Sequence, residues 1–377
     1  MSSVLAFRDD DRPFDKEPTR SFSIPARYYT DPAMLPIEYE KVFHANWWLA
    51  CHVSRLSRTG DYVVVDIGDE QVLIVRGRDD VIRAFYNVCQ HRGHQIVKDK
   101  AGRMSNLMVC PYHAWSFALD GSLVRARNTE DMPNFDKKDY GLKSVRCESR
   151  GGFVWVNVDG NAPDIAEVVE DLEDQIKAYI PALDDLVFAE RVEYRVNCNW
   201  KVLIDNFLEC YHCTPAHPAL VDLMDMDSYD VKTRRWMSSH IAGAPCSTET
   251  AAFNFEKGDV DFGYAAWFVW PNVTIWAYPG EANIMTLQII PDGPDHAIEY
   301  LDVYCLQEEP SQQMKDAIKY MDEVLQPEDI GLCESVYKGL KSNGFNQGRF
   351  VCDPAAGNIA EHGVHHFQNL LMEAVSD

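Results

Sequence analysis

A chain of 377 residues exceeds what one hydrophobic core commonly organises, so two domains, or one carrying a large insertion, are expected. Its 46% hydrophobic and 25% charged content is that of a folded protein, and the formal net charge of −24 excludes a nucleic-acid role, because phosphate contacts need clustered Lys and Arg. The same excess of acid disfavours an anionic membrane surface but suits a cationic substrate or a basic docking partner.

The N-terminal stretch MSSVLAFRDDDRPFDKEPTR is polar and acidic, without the apolar stretch of a signal peptide, and no later run is long and apolar enough to span a bilayer. A cytoplasmic enzyme with no membrane role is the expectation. A short helix rich in Leu, Tyr and Phe is expected over 31–43. From Asp61 the pattern changes to strands: DYVVVDIGDEQVLIV over 61–75 reads as two β-runs around a Gly-Asp turn, 81–88 as another, and short strands with Gly turns continue to Val158. A helix with early acidic residues follows over 164–179, then a strand over 187–196. Another helix is expected over 200–212, stopped near Pro215. Residues 260–306 alternate like strands, and helices are expected over 311–325, 327–341 and 359–375.

Two short boxes carry chemistry. Cys89-Gln-His91 is followed by Cys110-Pro-Tyr-His113, each near the tip of an expected β-hairpin. Two Cys and two His suit a [2Fe–2S] centre in which imidazoles replace two thiolates on one iron, raising its potential to roughly −150 mV or above. A tetrahedral zinc site can use the same four residues, but zinc fingers pair C-x-x-C with H-x-x-x-H and do not mix Cys and His within each box. His94, behind the first box, is not expected to be a ligand. Arg92-Gly93 and Pro111-Tyr112 fit tight loops whose backbone N–H groups face sulfur.

Farther along, Glu209-Cys-Tyr-His212-Thr-Pro-Ala-His217 contains E-x-x-H-x-x-x-x-H. On a helix Glu209 and His212 share a face, and the break at Pro215 lets His217 return to the same metal. Two histidines and a carboxylate form the facial triad of non-haem Fe(II) oxygenases, which leaves positions open for O₂. Asp329 is the expected carboxylate, in a helix opened by Pro327, with Glu328 and Asp322 as alternatives on spacing alone. The C-x-x-C of Cys210 and Cys213 suggests redox chemistry. Its position among the histidines makes coincidence the simpler reading, because eleven scattered cysteines point to reduced thiols and a few ligands. His365 and His366 are expected to be structural or surface residues. A trimethylammonium group has no N–H donors and is held by aromatic faces and negative charge. Phe253, Phe255, Tyr264, Trp267, Phe268, Trp270, Trp276 and Tyr278 offer such faces, although most aromatics in strands are plain sheet core.

The boxes C-Q-H-R-G-H and C-P-Y-H-A-W resemble the Rieske domain of aromatic-ring and quaternary-ammonium oxygenases, and the resemblance extends over nearly the whole chain. The segments S-I-P-A-R-Y-Y-T-D from Ser23, A-F-Y-N-V-C-Q-H-R-G-H-Q from Ala84, D-N-F-L-E-C-Y-H-C-T-P-A-H-P from Asp205, E-S-V-Y-K-G-L-K-S from Glu334 and E-H-G-V-H-H-F-Q-N-L-L from Glu361 resemble the bacterial carnitine monooxygenase oxygenase subunits. The implied fold is α+β: an all-β Rieske domain over 45–160, inserted in a helix-grip (START-like) catalytic domain with an antiparallel sheet over 161–377, and residues 1–44 packing with the latter. The resemblance implies Cys89, His91, Cys110 and His113 on the cluster and His212, His217 and Asp329 on the iron. Glu209 would carry electrons from the cluster of one subunit to the iron of its neighbour in a trimer. Most relatives have Asp at that bridge, so Asp205, one helical turn earlier, is a rival for part of the role. A separate flavin and iron–sulfur reductase would deliver electrons from NAD(P)H. The expected reaction is cleavage of carnitine to trimethylamine and malic semialdehyde, with oxidation of glycine betaine, stachydrine, choline or γ-butyrobetaine as alternatives. A Rieske electron carrier without catalytic iron needs only the small β domain, whereas more than half of this chain lies beyond it.

Overall fold

The computed structural model describes residues 5–260, 263–352 and 359–376. These divide into two compact units, one within Met1–Val42 and Val168–Asp377, the other Phe43–Glu167, so the second is an insertion in the chain of the first. Among the described residues no helix is long and apolar enough to cross a membrane.

The inserted unit is built from short strands: β1 (Trp48–His52), β2 (Asp61–Ile67), β3 (Glu70–Arg76), β4 (Ile82–Tyr86), β5 (Ala101–Arg103), β6 (Leu107–Val109), β7 (Ser116–Ala118), β8 (Leu123–Arg125), β9 (Ser144–Arg150) and β10 (Phe153–Asn157). They form one sheet in the order β1-β10-β9-β4-β3-β2-β5 and another in the order β6-β7-β8. The β2–β3 hairpin turns on Gly68 at φ 63°, a conformation that glycine adopts without steric cost. Val64, Leu73, Val75, Phe85, Phe117 and Leu123 fill the core beneath the loops that carry the two Cys-His boxes.

The larger unit is organised by a seven-stranded sheet of β11 (Val187–Val196), β12 (Asp225–Thr233), β13 (Met237–Gly243), β14 (Tyr264–Val269), β15 (Val273–Ala277), β16 (Asn283–Pro291) and β17 (Ala297–Cys305), in the order β11-β17-β16-β15-β14-β13-β12. Every neighbouring pair is antiparallel. The helices of this unit include α1 (Trp200–Phe207), α2 (Gln312–Tyr320), α3 (Gln326–Leu340) and α4 (His362–Ser376). Helix α1 packs on β16, with α3 and α4 against α1. Asn199 opens α1 by accepting the Lys201 N–H, Ser311 opens α2 by accepting the Met314 N–H, and Pro327 stands in the first turn of α3. Inside this layer the Lys201 ammonium and Trp200 indole N–H both donate to the buried carboxylate of Glu38, which balances a charge that burial alone would neutralise.

One predicted element ends early. The helix expected over 200–212 stops at Phe207, with Leu208 as its C-cap. The Glu209 carboxylate then accepts the N–H groups of Tyr211 and His212, so it seeds a turn instead of sharing a helical face with His212.

Candidate metal centres

The two Cys-His boxes fold into matching turns. The N–H of Gly93 donates to the carbonyl of Cys89 at 3.0 Å, and the N–H of Ala114 donates to that of Cys110 at 3.0 Å. Each turn is closed by a residue at positive φ, Gly93 at 70° and Ala114 at 59°. The return bonds also match: Cys89 N–H to the His94 carbonyl and Cys110 N–H to that of Trp115, both 2.8 Å. Cys89 and Cys110 are each 2% exposed and packed into the core, while His91 is exposed and His113 half-buried. The backbone N–H groups of His91 and Arg92 point at the Cys89 sulfur. The two imidazoles meet edge to face at 4.5 Å between centroids, and Trp115 stacks on His91 at 4.7 Å. Two buried thiols and two outward imidazoles on paired turns fit an iron pair with one thiolate-held and one imidazole-held metal. His94 turns away, its Nδ1 on the Gln95 carbonyl at 2.6 Å.

In the larger unit one donor atom each from His212, His217 and Asp329 lies within 4.8 Å of the others. These residues come from the turn after α1, the residue before Pro218, and α3. The Nε2 of His217 is 2.9 Å from Asp329 Oδ1, and that of His212 is 3.5 Å from the same oxygen. Each outer nitrogen meets another carboxylate: His212 Nδ1 that of Glu209, and His217 Nδ1 that of Glu328 at 2.8 Å. Carboxylates in that position fix ring orientation and raise imidazole basicity toward a metal. Glu328, an alternative ligand on spacing alone, is thus an outer partner of His217, and Asp322 lies outside the group. Burial lowers the His212 pKa, but Asp329 and Glu209 outweigh it and lift the ring to about 9. Burial likewise raises Asp329, and the two histidines outweigh it, holding the carboxyl down to about 2. Two histidines and one carboxylate converging in this way are the donor set of a divalent iron, whose binding would displace the ring protons that the carboxylates favour in its absence.

A cavity opens onto these atoms. It is lined by Glu209, His212, His217 and Asp329 together with Phe207, Tyr229, Tyr264, Trp276, Tyr278 and Glu299. Of the eight aromatics named from the sequence, three reach it. Strand alternation sets Trp267 apart: Trp276 pairs with Ala266, on the face of Tyr264, whereas Trp267 faces the other way and donates to Gln175 at 2.9 Å. Phe268 and Trp270 pack on Phe367 of α4, and Phe253 on Tyr278 and Tyr320. Phe207, Tyr229 and Glu299 escaped sequence reading, since no local pattern marks them.

A second cavity shares Asn206, Glu209 and His212 with the first and is otherwise lined by Tyr29, Asp205, Val336, Phe345, Glu361 and neighbours. Glu209 therefore stands in the wall between the two. Asp205 lines the second cavity too; its Oδ2 accepts from the Tyr29 hydroxyl at 2.5 Å and the Gln368 amide at 3.2 Å, its Oδ1 meets no hydrogen-bond partner among the described residues, and burial pushes its carboxyl up to about 7. His365 holds the Asp15 carbonyl at 2.8 Å, a structural role. The reading of Cys210 and Cys213 as a coincidence is corrected, because the two are joined in a disulfide. The early end of α1 frees this loop to close the pair.

The Rieske [2Fe-2S] domain model matches residues 46–136, and the model of the ring hydroxylating alpha subunit catalytic domain matches residues 183–377. The carnitine monooxygenase oxygenase subunit of Escherichia coli (strain K12) is 38% identical over 366 residues, covering 97% of this chain and 96% of that protein. Among solved structures, a quaternary ammonium Rieske monooxygenase described for carnitine oxidation and inter-subunit electron transfer has a TM-score of 0.88 at 32% identity, covering 97% of this chain and 99% of that one. The quaternary ammonium Rieske monooxygenase CntA in complex with L-carnitine has a TM-score of 0.85 at 33% identity, with the same coverage.

Proposed function

This chain belongs to the Rieske non-haem iron oxygenases with a ring-hydroxylating alpha-subunit catalytic domain, and from that premise we propose that it is the terminal oxygenase of a quaternary ammonium monooxygenase, with carnitine as first candidate substrate. It carries a Rieske [2Fe–2S] cluster and a mononuclear iron. In this reading Cys89, His91, Cys110 and His113 hold the cluster, and His212, His217 and Asp329 hold the iron. Bound together, the two centres supply single electrons and O₂ activation.

The chain's own groups do the rest. Glu209 and Glu328 hold the outer nitrogens of the iron histidines, so both rings present Nε2 to one point. In this reading Glu209, which lines the second cavity as well, meets a cluster imidazole of a neighbouring subunit, and the working assembly is a homotrimer. The buried walls of Leu203, Met224, Leu287 and Met321 exclude water, and Tyr264, Trp276 and Tyr278 offer π faces to a trimethylammonium head. One oxygen atom enters the C–H bond beside the quaternary nitrogen and the other leaves as water, using two electrons and two protons. The C–N bond then breaks, and carnitine yields trimethylamine and malic semialdehyde. A flavin and iron–sulfur reductase using NAD(P)H is the electron source in this reading, and the cytoplasm the working compartment.

The observation that carries the reading is the convergence of two histidines and one carboxylate on an aromatic-walled cavity. A panel of carnitine, γ-butyrobetaine, glycine betaine, choline and stachydrine with a surrogate reductase tests it. Trimethylamine from carnitine supports the first candidate. Formaldehyde from a betaine moves the substrate but keeps the chemistry, and O₂ uptake uncoupled from every member of the panel would refute the quaternary ammonium assignment.

A further inference from the structure

We propose that Glu299 is the counter-charge for the substrate's quaternary nitrogen, a specificity-determining carboxylate outside the iron-binding set. The inference rests on the quaternary ammonium reading and deepens it. Glu299 lies on β17, where it pairs with Ile289 of β16 and so shares the inward face with Leu287 and Leu301. It is 2% exposed and lines the catalytic cavity. The side-chain amide of Gln326 donates to one of its oxygens, and Gln326 stands one helical turn before Asp329 on α3, which fixes the carboxyl relative to the iron-binding face. Among the described residues no hydrogen bond engages the second oxygen.

The charge balance of the cavity makes this position informative. Three acidic residues line it, and two of them, Glu209 and Asp329, are occupied by histidines. Glu299 is not, and among the described lining residues there is no lysine or arginine. Its near-complete burial makes an anion there costly unless a cation joins it. A buried carboxyl without a cationic side chain is destabilising in the ligand-free protein, and a positively charged ligand relieves that cost. A quaternary nitrogen cannot donate a hydrogen bond, so its attraction to Glu299 is purely Coulombic and adds to the π faces of Tyr264, Trp276 and Tyr278.

Charge is separable from shape by comparing choline with 3,3-dimethylbutan-1-ol, in which carbon replaces nitrogen. Dissociation constants for both are measured by calorimetry on the iron-loaded enzyme, wild type, Glu299→Gln and Glu299→Asp. The wild type is expected to bind choline at least about tenfold more tightly than its carbon isostere. Glu299→Gln should close most of that gap by weakening choline alone, and Glu299→Asp should keep it open. Equal weakening of both ligands, or an unchanged gap in Glu299→Gln, overturns the proposal. So does a wild-type enzyme that does not distinguish choline from the isostere, a result that needs no variant to fold. Failure of every quaternary ammonium compound to bind would instead strike the functional reading on which the proposal rests.

Discussion

Replacing Gly363 with alanine tests how the packing of α4 supports the iron site. An alanine in a helix interior normally stabilises by about 0.8–1 kcal/mol relative to glycine, and because Gly363 is the second residue of α4 that value is an upper bound. Here an added Cβ would stand 2.2 Å from the carbonyl oxygen of Leu208 and 3.3 Å from His240 Cε1, well inside ordinary contact. The obstructing atom is backbone, so either α4 or the turn after α1 must move by about an ångström or more. Overpacking of this kind costs about 1–3 kcal/mol, and more where backbone must shift, which outweighs the gain in helix propensity. We expect a net loss of about 1–2 kcal/mol, seen as a fall in melting temperature of roughly 2–8 °C for a unit of this size. Leu208 leads directly into Glu209, so mononuclear iron content should fall alongside. Circular dichroism melts with iron assay measure both, and Gly339→Ala, whose Cβ meets nothing within 4 Å, should stabilise by about 0.5 kcal/mol. A Gly363→Ala protein that melts at or above the wild-type temperature with full iron would refute the reasoning.

Glu209→Gln should leave both metals bound while slowing reoxidation of the reduced cluster by substrate and O₂ by roughly 10–100-fold or more, read by rapid-mixing absorbance; unchanged reoxidation would remove Glu209 from the electron path. His240 is buried between Tyr229 and Ser238, and burial pushes its pKa from 6.5 down to about 4. The folded value is the lower one, so the unfolded chain takes up the proton first. Its contribution is intact above pH 6.5 and declines as pH falls toward 4, by up to about 3 kcal/mol. Urea midpoints that stay flat from pH 7 to pH 5, or fall equally in His240→Gln, would contradict this.

How much of this was legible in the sequence depends on how local each feature is. The Cys-His boxes were readable because each pair sits in one tight turn, and the spacing of His212 and His217 held its meaning even though the helix expected to reach His212 stops at Phe207. Glu209 reads as a helix former, yet its carboxylate caps the N–H groups of Tyr211 and His212 and belongs to a turn. That same misplaced helix hid the Cys210–Cys213 bond. Asp329 could only be chosen among Asp322, Glu328 and itself, since which helical face meets the histidines is set by the packing of α3 on α1. Glu299 was invisible: its burial follows from the β16–β17 register and from Gln326, neither of which a single strand displays. The sequence likewise named eight aromatics but not the three that line the cavity, since alternation leaves Phe268 on the same face as Tyr264 and only the packing of α4 takes it away.

The account turns on two distinct iron sites in one chain. Iron analysis with electron paramagnetic resonance, on wild type and His212→Ala, tests that most directly. The wild type should hold three irons per chain, the reduced cluster signal, and a separate ferrous site that responds to nitric oxide, and His212→Ala should lose only the last. Two irons per chain in the wild type with no nitric oxide response, or a cluster signal that vanishes in His212→Ala, would contradict it.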